Sequence, residues 1–310
     1  METTASALVK LHISILLAGF TGVFGKLISL GEVPLVWWRL LMVAAIMFPL
    51  LKMWNKFRTY PARETLVLFG VGGLQGLHWV LFYASIKLST VSVALVCISL
   101  MGFFSAIFSP LILKTRWSIR EFVYSGITIV GIAMIFHFDT RYRLGIAVGI
   151  VSSAIASLFV VYNKRIGGGY ESSLLFFYEI VGGLLLVTLY LPAHLFLNPG
   201  DFGIPGALDL FYLLLLSSVC TVVLYVIQLQ ALRKVSAFTV NLSLNLEPIY
   251  SIILASIFLG ESKDFTISFY AGLFLIILSV ALQTLHVLKE RRRGITRAQT
   301  RESVRLPQSS

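Results

Sequence analysis

Charged side chains are scarce in this sequence. They make up 13% of its 310 residues, about half of the roughly 25% found in soluble domains. That is too little to dress a water-facing surface. With 57% hydrophobic residues and a mean hydropathy of +0.89, the chain reads as a membrane protein. One bilayer-spanning helix takes about 20 apolar residues. Ten spans would use roughly two thirds of the chain, which leaves no sizeable soluble domain. Soluble enzymes, DNA-binding proteins and secreted scaffolds are excluded on this ground.

Cysteine is nearly absent as well. Cys97 and Cys220 both lie in apolar runs. They exclude a disulfide framework or zinc site and read as small core residues. There is no P-loop, no GxGxxG ahead of a helix and no cluster of metal-ligand residues. No cofactor, metal or ATP-driven pumping is therefore expected. No Ser/His/Asp set falls on facing helices, which speaks against an intramembrane hydrolase. The expectation is a non-enzyme.

Ten apolar runs remain, at Leu8–Ile28, Pro34–Met53, Thr65–Ile86, Val91–Leu113, Ile119–Phe138, Leu144–Tyr162, Ser172–Leu191, Leu208–Leu232, Ala237–Leu259 and Phe265–Leu288. The first is too long for a signal-peptide core, and only Lys10 supplies a basic start. The net charge of +11 sorts by side once the N-terminus is placed in the cytoplasm. Nineteen Lys and Arg then fall inside and five outside, with Arg39 left in the membrane. This bias predicts both termini in the cytoplasm, with a bacterial inner membrane as the expected location. The charge is thus a record of topology, and no nucleic-acid partner is implied. The tail 289–310 carries Arg291, Arg292 and Arg293 and reads as a basic anchor touching anionic lipid. A regulatory partner is the alternative.

An offset of 146 lays the second half on the first. Ser85-Ile86-Lys87 falls on Ala231-Leu232-Arg233, and Tyr124-Ser125-Gly126 falls on Tyr270-Ala271-Gly272. At an offset of 138, Val23-Phe24-Gly25-Lys26 falls on Val161-Tyr162-Asn163-Lys164. Each copy holds five helices, an odd number, so the second enters from the opposite side. The expected fold is an all-α polytopic membrane protein of ten transmembrane helices in two inverted five-helix repeats, residues 8–138 and 144–288. Such a pair can expose one central site to either side by rocking.

Several stretches carry a resemblance. They are Lys26 closing the first helix, Trp38-Arg39-Leu40 in the second, and Tyr83-Ala84-Ser85-Ile86-Lys87-Leu88-Ser89. In the second half they are Leu246-Glu247-Pro248-Ile249 and Phe258-Leu259-Gly260-Glu261. Together they resemble EamA-type transporters of the drug/metabolite transporter superfamily. The first copy departs from the pattern, with Lys114-Thr115 where Gly260-Glu261 stands in the second. The resemblance implies a ten-helix secondary carrier of small metabolites, with export the favoured direction.

Polar groups inside the membrane need an account, since each costs several kcal/mol unless paired or hydrated. Gln75, His78, Trp79 and Phe82 follow i, i+3, i+4, i+7 spacing and share one helix face. The matched positions in the eighth helix include Thr221, Tyr225 and Gln228. Two such faces would line a cavity between the repeats. Alternatively, His78 and Gln75 tie helices together. Phe238, Asn241 and Asn245 form an inward face that touches either substrate or a neighbouring helix. Glu247 precedes Pro248 and serves either a proton relay or the proline break. Glu179 falls on Arg39 at an offset of 140. The two pair with each other, or each neutralises another group. Glu179 binding a proton, or Arg39 holding a substrate carboxylate, are the functional versions. Lys26 and Lys87, at helix ends, read as solvated anchors. Gly72-x-x-x-Gly76, Gly145-x-x-x-Gly149 and Gly182-Gly183 read as packing seams.

The expected activity is carriage of a small metabolite, an amino acid or related compound with an apolar or ring-bearing part. Proton coupling is a further expectation. The competing class is a membrane sensor or assembly protein that kept the fold without transport. Nothing in the sequence fixes the oligomeric state.

Overall fold

The computed structural model describes residues 4–137, 142–232, 246–282 and 285. Over these the chain is helical. It forms α1 (Thr4–Leu27), α2 (Glu32–Met53), α3 (Ala62–Leu88), α4 (Val91–Ile98), α5 (Met101–Leu113), α6 (Ile119–His137), α7 (Arg143–Ile166) and α8 (Ser172–Leu197). The chain continues through α9 (Ala207–Ser217), a π-helical stretch at Ser218–Val223, α10 (Leu224–Leu232), α11 (Glu247–Leu259) and α12 (Ile267–Leu282). Among the described residues, seven stretches are long and apolar enough to cross a membrane, and α11 and α12 are shorter apolar helices.

Local chemistry sets the ends. Thr90 accepts from the Val93 amide at 3.1 Å and starts α4. Glu171 does the same for α8 through the Leu174 amide, at 2.9 Å. These caps satisfy amides that have no partner within their helix. At the other end of the first and third helices, two lysines cross over. Lys26 of α1 donates to the carbonyls of Ile86 and Ser89, and Lys87 of α3 donates to Ile28. Neither is simply a solvated anchor. Each cation closes the carbonyl end of the other's helix, where the helix dipole favours positive charge.

One expected helix is not continuous. The fourth breaks at Ser99–Leu100, between α4 and α5. There the Leu100 amide bonds the Cys97 carbonyl three residues back, at 3.0 Å, tightening the turn. In the other copy, α11 starts directly after a turn at Leu246. Under the offset of 146, Met101–Leu113 and Glu247–Leu259 coincide at both ends. Both also finish in the left-handed conformation, at Lys114 (φ 56°) and Gly260 (φ 68°). Pro248 accounts for the second start. Its counterpart is Gly102, a weaker helix former than most residues. The eighth expected helix is continuous but widened over Ser218–Val223.

Packing rests on small residues. α3 lies between α7 and α8. Across the α3–α8 contact a Cβ on Gly76 would meet the Gly183 backbone at 3.0 Å. One on Gly72 would strike the Glu179 backbone, and one on Gly182 the backbone of Phe69. Across the α3–α7 contact Gly145 abuts Ser89, and Ser85 donates to the Gly145 carbonyl at 2.7 Å. Lipid tails are as apolar as leucine, so close backbone approach of this kind replaces the hydrophobic drive. Leucine side chains such as Leu189, 82% exposed, point outward, as a lipid-facing surface requires. Cys97 and Cys220 are both buried and unpaired.

These contacts can be tested by mutation. Gly72→Leu or Gly183→Leu should destabilise the purified protein by about 1–3 kcal/mol or more. Gly70→Leu, where an added Cβ meets nothing within 4 Å, should leave the melting temperature in place. Equal melting of all three would refute the tight α3–α8 contact. A second expected outcome concerns pH. Burial alone would raise the Glu171 pKa, but Lys56 at 2.7 Å and the Leu174 amide hold it below the usual carboxylate range. A depressed carboxylate stabilises the fold above its unfolded value and loses that contribution as pH falls through the folded one. The pair is partly exposed, so the effect is about 0.5 kcal/mol. Acid titration of thermal stability should show it below about pH 4.5, and Glu171→Gln should remove it.

Candidate functional site

A cavity of about 260 Å³ lies among α1, α3, α4, α5, α7 and α11. The α3 face predicted from spacing lines it, with Gln75, His78, Trp79 and Phe82 together. Glu247 lines it from the start of α11. Ile98 and Met101, which flank the α4–α5 break, also reach it. The cavity therefore sits at the two matched helix starts, Met101 and Glu247.

His78 is anchored from α7. Its Nδ1 lies 2.9 Å from the Ser152 hydroxyl and 3.2 Å from the Ser152 carbonyl. The Ser152 hydroxyl in turn donates to the His78 carbonyl at 3.0 Å. So His78 both lines the cavity and ties α3 to α7. The two roles expected as alternatives occur in one residue. Sequence spacing alone does not single out Ser152, although a serine-rich run, Ser152-Ser153, in a chain with a mid-helix histidine was a usable signal.

Tyr225 and Gln228 do not line this cavity. The Tyr225 ring stacks on Phe176, centroids 4.1 Å apart, and its hydroxyl donates to the Ser172 carbonyl. Thr221 lies within the widened stretch Ser218–Val223 and Tyr225 lies just beyond it. A π turn shifts the phase of the residues after it. The face drawn with an even 3.6 spacing through Thr221, Tyr225 and Gln228 does not survive that shift. Thr221 instead turns to Arg39. Phe238, Asn241 and Asn245 lie outside the described residues.

Arg39 is buried, with 3% exposure. It donates from Nη1 to the Tyr83 hydroxyl at 2.8 Å and from Nη2 to the Thr221 hydroxyl at 2.9 Å. Its guanidinium lies 3.7 Å from the centroid of Trp79. A planar, weakly hydrated cation suits such stacking. Glu179 does not meet it. Its carboxylate accepts from the Asn163 amide at 2.7 Å, and its backbone packs on Gly72. The offset of 140 suggested a pairing because the two residues match in sequence. In space Arg39 turns toward α3 and the π stretch, while Glu179 turns toward α7.

Glu261 closes the Phe258-Leu259-Gly260-Glu261 pattern, which by itself assigns it no partner. It is 7% exposed, and its two oxygens accept from the Val91 and Ser92 amides at 2.8 and 2.9 Å. One carboxylate of the second repeat thus caps the first helix segment of the broken α4–α5 pair. The first repeat has Thr115 at the matched position, so it has no carboxylate there to make the same clasp.

The sequence profile of the EamA-like transporter family matches residues 6–137 and 143–285. No curated protein matches the chain. A solved structure titled "Crystal structure of protein" is similar at a TM-score of 0.61 and 16% identity. That similarity covers 91% of this chain and 98% of the other, and it speaks to the fold alone.

Removing the clasp should be measurable. Glu261→Ala is expected to cost about 1–2 kcal/mol, the range for loss of a helix cap. Glu261→Gln, which keeps one acceptor, should cost less. Thermal unfolding in one detergent would show the order. An unchanged midpoint for Glu261→Ala would remove the carboxylate from the set of structural ties.

Proposed function

Because the chain belongs to the EamA-like transporter family, we propose that it is a secondary carrier. It moves a small metabolite, an amino acid or related compound with a ring-bearing or apolar part, by alternating access. The observation that carries this is the position of the cavity. Its walls combine hydrogen-bonding and aromatic groups, and it lies where α5 and α11 start at matched places in the two repeats. A discontinuous helix at a central site between two halves is what a repeat-built carrier uses.

The same reading includes ten membrane-spanning helices in two inverted repeats, both termini in the cytoplasm, and a bacterial inner membrane. The repeats support it through the equal helix segments Met101–Leu113 and Glu247–Leu259. The distribution of Lys and Arg supports the orientation. Gln75, His78, Trp79, Phe82 and Glu247 form the proposed binding surface. Arg39 acts behind it, through Trp79. Export is the proposed direction, and proton coupling would fall to Glu179 or Glu247. The basic tail 289–310 would rest on anionic lipid.

The reading is tested by reconstitution. Proteoliposomes should take up or release at least one member of a panel of amino acids, amines and related metabolites. A pH gradient should change the rate if protons are coupled. His78→Ala combined with Gln75→Ala should cut that flux at least about tenfold, the worth of one lost charged or buried hydrogen bond, with the protein still folded in the membrane. If no solute moves under any gradient, the chain is not a carrier.

A further inference from the structure

The walls of the cavity say which group of a substrate they can read. Glu247 lines it and has no hydrogen-bond or ion-pair partner among the described residues. No Lys or Arg is among the described residues that line it. The nearby cation, Arg39, is set behind the Trp79 ring, and its Nε, Nη1 and Nη2 are engaged by Thr221 and Tyr83.

His78 adds a second acceptor. A carbonyl oxygen can only accept, so the Ser152 carbonyl 3.2 Å from Nδ1 requires the hydrogen on that nitrogen. The Ser152 hydroxyl spends its own proton on the His78 carbonyl, in agreement with that assignment. The neutral ring then offers Nε2 as a lone pair. Gln75 and Thr21 also line the cavity and can present either polarity. Trp79, Phe82 and Phe159 supply aromatic wall. The volume lies just under the roughly 300–1,000 Å³ of drug-sized sites, which suits a body of one ring.

Glu247 and the His78 Nε2 lone pair are acceptors, and they ask the ligand for donors. A ligand carboxylate would meet Glu247 with like charge, whereas an ammonium would supply the partner a membrane-buried carboxylate otherwise lacks. Resting on the carrier reading above, we propose that the cavity recognises the protonated primary amine of a ring-bearing metabolite. A carboxylate on the same molecule is not required. Glu247 accepts the ammonium, His78 Nε2 takes a further N–H, and the ring lies along Trp79, Phe82 and Phe159.

Four compounds with one phenyl ring separate the possibilities: 2-phenylethylamine, phenylalanine, 3-phenylpropionate and N-acetylphenylalanine. Ligand-dependent shifts in unfolding temperature of the purified full-length protein give their affinities. The two ammonium compounds are expected to stabilise it, and the two compounds without an ammonium are not. Glu247→Gln should weaken 2-phenylethylamine about tenfold or more, as loss of a charge-assisted hydrogen bond would, and Glu247→Asp should retain most of the affinity. If a variant fails to fold, the ranking on the unaltered protein decides alone. Binding of 3-phenylpropionate as tight as that of 2-phenylethylamine, or no shift with either amine, overturns the proposal. Flux of the same four compounds is read in parallel. Amine binding without flux of any solute overturns the carrier reading and leaves the recognition. Flux of the acids in preference to the amines does the reverse.

Discussion

Inside a bilayer the backbone of one helix can approach another only where side chains are withdrawn, and α3 meets α8 in that way. Gly72 and Gly76 face the backbones of Glu179 and Gly183, while Gly182 takes the backbone of Phe69. The opposite flank of α3 is pinned to α7 by Ser85 on the Gly145 carbonyl and by the His78–Ser152 exchange. With both flanks committed, the remaining face of α3 has one direction left. That face carries Gln75, His78, Trp79 and Phe82 into the cavity. The site is thus a by-product of where the glycines lie, and it needs no loop to hold it.

Arg39, Glu179 and Glu261, buried charged residues, follow one rule with three solutions. Arg39 receives hydroxyls and an indole face, with no carboxylate. Glu179 receives a neutral amide. Glu261 receives two backbone amides at a helix start. Each partner is dipolar or polarisable and none is an opposite full charge. A dipolar partner satisfies hydrogen-bonding capacity without a second ion to be stripped of water. Glu247 stands apart from the three because no such partner meets it among the described residues.

Much of this was legible beforehand. The apolar runs, the repeat and the α3 face come from spacing and composition, which the bilayer enforces residue by residue. Reading failed where local geometry departs from ideal periodicity. The break at Ser99–Leu100 has no proline to announce it, only Gly102 after it. The π stretch at Ser218–Val223 changes the phase of α10, and with it the role of Tyr225. The supposed Arg39–Glu179 pair was a match in sequence offset, and offset says nothing about which way two side chains turn. Ser152, Asn163 and Thr221 do not stand out as partners because short polar residues are common in packed membrane helices.

The two half-length helices, equal in span and end conformation, differ in chemistry at the same places. Met101 stands against Glu247, Gly102 against Pro248, and Lys114-Thr115 against Gly260-Glu261. Only the second copy has a carboxylate with which to clasp the other's helix start. In a carrier of this build, exchanging the roles of the halves would give a state of different free energy. The empty protein would then have a preferred side on which to wait, and a gap of only about 1.4 kcal/mol would make that preference tenfold. Duplication supplied the frame, and divergence at a few helix ends supplied its bias.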